Sequence, residues 1–414
     1  MTTASPISVH PDLEGVPLGA LPPNGVYVPN LYDLLRGVRE RGGVEQGWFA
    51  DGLPCYLITR FEDVRNGFVD TATYSPRATQ ELLTFPHLGP TFLGYEGKEH
   101  ELHRKVVSPT FTKRRTRAYM EELLVPQAHA VVDTFCEDGE AELMEQFCER
   151  YPLAIIGDLL GLPVDDWHKI AGWARALILG EGGTPEETRA RQREVAQEFR
   201  NYVFPLLDER RTTPTTDILS QLVHGSIEGR PLTDEEILSF MLLLFPAGVD
   251  TTWMAIGAMM TAVLGTPGVV EAIKADPSLV PGIVEEALRW GSPVILQARL
   301  TVKDTEVGGV PIPAGSFALL GIGAANRDPE RFDRPEEFIY DRNPAGQMAF
   351  SFGEHFCLGS HLARAEMAAA LTVMLERLPN VRLTEDVRFI GCSVRGPETL
   401  RVSFDPSPAL GAAR

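Results

Sequence analysis

Basic side chains are scarce in this chain. Lys and Arg number 38 against 57 Asp and Glu, a net charge of −19 over 414 residues. An excess of that sign keeps a protein in solution and argues against a nucleic-acid ligand. Cysteine is scarce too, at five residues: Cys55, Cys136, Cys148, Cys357 and Cys392. They are scattered, odd in number and without C-x-x-C spacing, which reads as reduced thiols in a cytoplasmic protein and not as a disulfide framework. No internal repeat and no low-complexity tract occurs. Met1 to Pro22 is polar and proline-rich, without a basic start followed by an apolar core, so neither signal peptide nor membrane anchor is expected.

What is present is an ordinary globular composition, 44% hydrophobic and 23% charged. Length alone suggests two or three domains. Residues 1–30 are punctuated by prolines and read as an extended segment. A helix is expected from Leu31 to Arg41, where Gly42-Gly43 ends it. Trp48-Phe49 and Tyr56-Leu57-Ile58 read as two short strands joined through Asp51-Gly52, a hairpin signal, with a short helix at Phe61–Phe68. From Ser75-Pro76 to Gly97 apolar residues follow no helical period, which predicts a long loop with a function of its own. Residues 118 to about 210 carry apolar residues at three- and four-residue spacing and read as mostly helix, broken at Gly180–Pro185.

Five stretches carry chemistry. His100 and Arg104 lie four apart, on one face of a helix, and form a ready anion site. Lys113-Arg114-Arg115-Thr116-Arg117 is the densest basic patch in an acidic chain. Thr233-Asp234-Glu235-Glu236 fits a capping box that opens a helix apolar on nearly every side. That helix is long enough for a membrane span, but Asp250, Thr251 and Thr252 interrupt it and basic flanks are missing. Pro246 within it has no N–H, and its ring pushes on the Leu242 carbonyl, so a kink or widened turn is expected. Glu286 and Arg289 stand three apart, able to pair on a helix.

The fifth stretch organises the rest: Phe350-Ser351-Phe352-Gly353-Glu354-His355-Phe356-Cys357-Leu358-Gly359, followed by a helical run. Gly353 can make a turn that a Cβ would resist, and Gly359 lets the backbone approach a flat, bulky group. A cysteine beside the unpaired N–H groups of a helix start is expected to have a lowered pKa. A thiolate so placed suits an axial ligand to haem iron.

Phe350, Gly353, His355, Cys357, Gly359, Ala363 and Glu366 together resemble the haem-binding loop of the cytochrome P450 family. Ala247-Gly248-Val249-Asp250-Thr251-Thr252 is similar to that family's oxygen-activation stretch, Glu286-Ala287-Leu288-Arg289 to its E-x-x-R, and Asn326–Phe332 to its N-R-D-P-x-x-F. The resemblance runs from about Tyr32 to Phe404 and is to the soluble bacterial type. It implies a mainly α fold with a small β-rich region, residues 31–414 forming one domain, and haem b held between two central helices.

By the same resemblance Cys357 is the axial thiolate and Phe350 shields its sulfur. His100, Arg104, Arg299 and His355 bind haem propionates, and Ala247 and Gly248 leave room beside the iron. Asp250 and Thr251 relay protons. Arg342 joins Glu286 and Arg289 in a buried structural set. Phe85, Leu88, Phe92, Leu244, Ala247, Val294, Ile295 and Val394 face the substrate, with Ser393 beside the last. The implied activity is haem-thiolate monooxygenation of a small to medium hydrophobic molecule: a terpenoid, steroid, fatty or aromatic compound. Dioxygen is the oxidant. Electrons are expected from a separate ferredoxin or flavodoxin-type donor docking near Lys113, Arg114, Arg115 and Arg117, since no flavin or iron–sulfur domain follows in this sequence. Two alternatives stand beside this reading: a peroxide-driven enzyme of the same fold, and a non-catalytic haem carrier or gas sensor. Asp250-Thr251 argues against both.

Overall fold

A computed structural model describes residues 30–48, 54–163, 167–179 and 185–411. The extended segment, the Asp51-Gly52 turn and the break at 180–184 fall outside them. The fold is mainly helical with a small β-rich region. The longest helix, Asp234–Gly265, runs through the largest hydrophobic cluster and packs against helices Arg150–Leu160, Trp167–Leu179 and Ser360–Arg377. Its start is the expected capping box: Thr233 accepts the Glu236 N–H at 3.3 Å, and the Glu236 carboxylate accepts the Thr233 N–H at 2.7 Å. The helix is long and apolar enough to cross a membrane, yet two thirds of its most apolar window is buried inside the protein. Its all-round hydrophobicity reflects neighbours on most sides.

The chain stays α-helical through Pro246, so the expected widened turn does not form. Proline removes one ladder hydrogen bond, and here the buried packing around the ring holds the helix together regardless. Residues 75–97 also differ from expectation. They are helical at Pro76–Leu83 and Phe85–Leu88, with a 3-10 turn at Phe92–Gly94. Proline at the first helical position and the Ser75 hydroxyl, which accepts the Ala78 N–H at 2.9 Å, start the first helix. Those local signals outweigh a weak hydrophobic period.

The β-rich region is a five-stranded sheet in the order Val44–Trp48, Pro54–Ile58, Phe317–Gly321, Leu296–Thr301, Tyr74–Ser75. The first two strands pair antiparallel with Val44 opposite Ile58, the first running Val44–Trp48, earlier in the chain than expected. Phe317–Gly321 joins them in parallel and pairs antiparallel with Leu296–Thr301, setting Ala318 opposite Arg299. The sheet thereby delivers Arg299 to the side of the helical core.

Candidate active site

The cysteine loop is shaped by its backbone. Gly353 has φ +78°, and a Cβ there would stand 2.9 Å from the Phe68 carbonyl oxygen. Only glycine accepts that conformation and that approach. The Cys357 N–H donates to the Phe350 carbonyl at 3.0 Å, and the Phe356 N–H to that of Gly353 at 3.1 Å. Cys357 then sits just ahead of the helix Ser360–Arg377. Its thiol departs from the expected lowered pKa. Burial pushes it up, against the opposing pull of the Gly359 N–H, Arg104 and Arg364. Desolvation of the charged form outweighs the helix start here.

Four cationic or imidazole side chains converge beside this loop. The His100 and His355 rings are 4.1 Å apart. Arg104 donates through Nη2 to the Phe356 carbonyl at 2.6 Å. Burial lowers His100 to about 4, with Arg104 and His103 adding to it. Burial likewise lowers His355 to about 3, helped by His100, Arg299 and Arg104. Both imidazoles are therefore neutral near pH 7. Arg299 is buried, and burial holds it down to about 10. Its Nη1 donates to a backbone carbonyl, Ala298 O, at 2.9 Å. His355 Nε2 is buried without a hydrogen bond, with Glu354 Oε1 3.5 Å away. A buried guanidinium and a half-buried one beside two imidazoles call for anions, and two carboxylates of a macrocycle fit that demand. Among the described residues no group of three or more His, Cys, Asp and Glu could hold a bare metal ion. The donor set thus fits an iron held in a haem, with one thiolate from the protein.

The central helix presents a second wall. Leu243, Ala247 and Thr251, four residues apart each, are the less buried positions on their side of the helix, with Ala247 exposed. The Thr251 hydroxyl donates to the Ala247 carbonyl at 3.3 Å. Asp250 is fully buried, neither carboxylate oxygen has a partner, and burial pushes its pKa up to about 7. Arg175 is the neighbouring charge that opposes this rise, but its guanidinium is paired with Glu149. At Gly248 a Cβ would meet Ile156 Cγ1 at 2.8 Å, so its absence serves packing on helix Arg150–Leu160. At Gly359 a Cβ would meet nothing within 4 Å, so protein neighbours do not demand glycine there.

Below the loop, Glu286 and Arg289 are completely buried and doubly bonded, Nε to Oε2 and Nη2 to Oε1, both at 2.7 Å. Arg342 Nε donates to Glu286 Oε1 at 3.0 Å, as does the Ile339 N–H at 2.9 Å. Arg289 reaches the carbonyls of Asn326, Pro335 and Glu337 at 2.7–3.0 Å. The set therefore ties helix Val280–Trp290 to the chain leading into the cysteine loop.

The expected substrate residues divide. Val294 bridges Val394 across an isolated β-pair, and both are half-buried. Ile295 turns the other way, fully buried against the sheet cluster with its Cδ1 close to Gly323. Adjacent residues of an extended chain point to opposite faces, so both cannot line one pocket. Leu244 is likewise buried in the main cluster, whereas Leu243 is half-buried on the face that carries Ala247 and Thr251, a four-residue period that the sequence shows. Phe92 is buried in the main cluster, its ring 5.2 Å from that of Phe240. Phe85 packs on Gly94, while Leu88 is half-buried. Ser393 accepts the Ile295 N–H at its carbonyl, 2.7 Å away. Lys113, Arg114, Arg115 and Arg117 are all exposed on helix Lys113–Tyr119, with Arg115 paired to Glu122 at 3.2 Å.

Comparison with known proteins gives this arrangement its class. Residues 183–379 match the family described as Cytochrome P450. Cytochrome P450 107B1 of Saccharopolyspora erythraea is 33% identical, over 85% of this chain and 90% of that protein. A steroid C26-monooxygenase of Mycobacterium tuberculosis is 31% identical, over 84% of this chain and 97% of that one. The solved structure of the Bacillus subtilis bacillaene polyketide synthase cytochrome P450 PksS superposes with a TM-score of 0.83 at 30% identity, over 91% of this chain and 97% of that one. The chain belongs to the cytochrome P450 family. It is an oxidoreductase, a monooxygenase with haem b and a cysteine thiolate ligand.

Proposed function

We propose that this enzyme hydroxylates a hydrophobic molecule of roughly steroid or polyketide size, using dioxygen and electrons from a separate donor protein, in the cytoplasm. The observation that carries this is the central helix. One face offers apolar Leu243 and Ala247 beside the Thr251 hydroxyl, and the next residue is a buried acid poised near neutrality. Apolar Val294 and Val394 are proposed to form the opposite wall. A steroid monooxygenase and a polyketide-pathway P450 among the similar proteins agree with a substrate of that character.

In this reading Cys357 is the axial ligand, and His100, Arg104, Arg299 and His355 hold the propionates. Bound haem supplies the binding and reductive activation of dioxygen. The protein supplies dryness, position and protons. Asp250, titrating close to neutral pH, can both release and recover a proton there. The Thr251 hydroxyl, which here donates to the Ala247 carbonyl, would turn to hold a water on the open face of the helix and pass a proton through it. A haem carrier or gas sensor needs no such acid–hydroxyl pair, and a peroxide-driven enzyme of the same fold would be expected to replace it.

The exposed Lys113, Arg114 and Arg117 are proposed to receive an acidic ferredoxin or flavodoxin-type donor. Lys113 acts electrostatically on His361, which lies in the first turn of the helix after Cys357, so the patch is on the thiolate side. Opposite charge steers encounter and makes it salt-dependent.

The test is a titration of the ferric haem protein with a panel of steroids, macrolide-like polyketides, terpenoids, fatty acids and aromatics, followed in the Soret band. A low- to high-spin shift confined to bulky apolar compounds supports the reading. A shift only with small polar molecules would overturn it.

A further inference from the structure

Arg364 and Glu285 form a charge pair that none of the roles above uses. Arg364 is on the helix after the cysteine and Glu285 on helix Val280–Trp290. Arg364 Nε and Nη2 both donate to the Glu285 carboxylate, the second at 3.2 Å, and Nη1 donates to the Ser360 carbonyl at 3.1 Å. Three anchors fix the guanidinium in one place. That place is over the Phe350 ring, with the guanidinium carbon 4.3 Å from its centroid.

Glu285 is fixed in turn. It accepts from Gln347 Nε2 at 3.1 Å, and Gln347 Oε1 accepts the Ala349 N–H at 2.6 Å. The set Gln347, Glu285, Arg364 and Phe350 thus closes around the backbone that leads to Cys357, whose N–H is bonded to the Phe350 carbonyl. Side-chain exposures of 30% for Arg364 and 32% for Glu285 leave the pair incompletely screened by water.

We infer that Arg364, held by Glu285 against the Phe350 ring, is a positioning residue that sets the electron affinity of the thiolate-ligated iron. A fixed cation near the thiolate favours the reduced metal, which carries one positive charge less. Glu285 subtracts from that effect while holding the cation in place. The link to the sulfur runs through Phe350, whose ring lies under the guanidinium and whose carbonyl accepts the Cys357 N–H at 3.0 Å. A fastener between two helices would need the salt bridge but not the stacking on Phe350. The inference rests on Cys357 being the axial ligand.

The experiment is a spectroelectrochemical titration of the ferric–ferrous couple in haem-loaded wild type, E285Q, R364Q and R364K, with the carbon monoxide spectrum of each. E285Q is expected to raise the potential and R364Q to lower it. Each shift should be at least about threefold in the one-electron equilibrium, or about 28 mV at ~59 mV per tenfold. R364K, which keeps the charge, should stay near wild type. Shifts of the same sign in E285Q and R364Q, or shifts below about 1.5-fold in both, would overturn the inference while leaving the ligand assignment intact. If R364Q loses its thiolate-type spectrum, E285Q decides alone: a raised potential supports the inference, an unchanged or lowered one refutes it. A wild-type spectrum without thiolate character would overturn the ligand assignment as well.

Discussion

Asp250 and Thr251 are neighbours in sequence with opposite surroundings. Asp250 is fully buried with both carboxylate oxygens unpartnered, while Thr251 stands on the more open face and bonds back to Ala247. One residue of helix is a rotation of about 100°, so the two cannot point the same way. In the proposed relay the acid stores a proton and the hydroxyl presents it.

This division predicts two different failures. Thr251→Ala should leave electron uptake running while product per electron falls, with the balance appearing as peroxide. Measuring product and peroxide against electrons consumed checks it. An unchanged ratio would remove the role assigned to the hydroxyl.

Asp250→Asn should slow turnover by roughly a hundredfold, within the range for a lost acid–base group. It should also flatten the pH–rate profile near 7, where the buried acid titrates. Its effect on stability has the opposite sign. The folded acid holds its proton up to about pH 7 whereas the unfolded one loses it near 3.8, so burial penalises the native state increasingly between those values. The asparagine variant should therefore be more stable above pH 7, on the order of 4 kcal/mol, and no more stable near pH 4. Denaturant melts at both pH values read this directly.

Arg299→Leu should speed haem transfer to a haem-free acceptor protein by roughly ten- to a hundredfold, the worth of one hydrogen bond to a charged group. The haem-free protein should also weaken in acid. His100 and His355 are neutral when folded down to about 4 and about 3, while an unfolded histidine takes up its proton near 6.5. The unfolded chain binds more protons across that window, so stability falls as pH drops below about 6.5. His355→Phe should reduce that slope in thermal melts across pH 4 to 7.

Glu286→Gln strips charge from a fully buried set and leaves Arg289 uncompensated. It should cost about 3–5 kcal/mol and lower haem incorporation together with the melting temperature. Full occupancy at the wild-type melting temperature would contradict the structural role.

Reversing Lys113 and Arg117 to Glu should slow electron transfer from an acidic donor at low salt and leave substrate-induced Soret shifts unchanged. The deficit should shrink as ionic strength rises, because screening acts on the steering and not on the pocket.

The sequence by itself determined the family, the mainly helical fold, the cysteine loop and the capped central helix. Each is written in local chemistry: glycines where the backbone must turn, a threonine and a glutamate three apart, an apolar run with one acid. Glu286, Arg289 and Arg342 were legible only through family resemblance, since an E-x-x-R spacing alone predicts an ordinary surface pair. Only the tertiary structure decided which face each residue takes. It buries Leu244 and Ile295 and turns Leu243 outward, and it makes Gly248 a packing residue against Ile156. It also raises the Cys357 pKa where a helix start suggested a fall. Burial is the physical reason in each case. Which neighbours arrive from distant parts of the chain sets the desolvation of a thiol and the free side of a helix, and no spacing within one element records that.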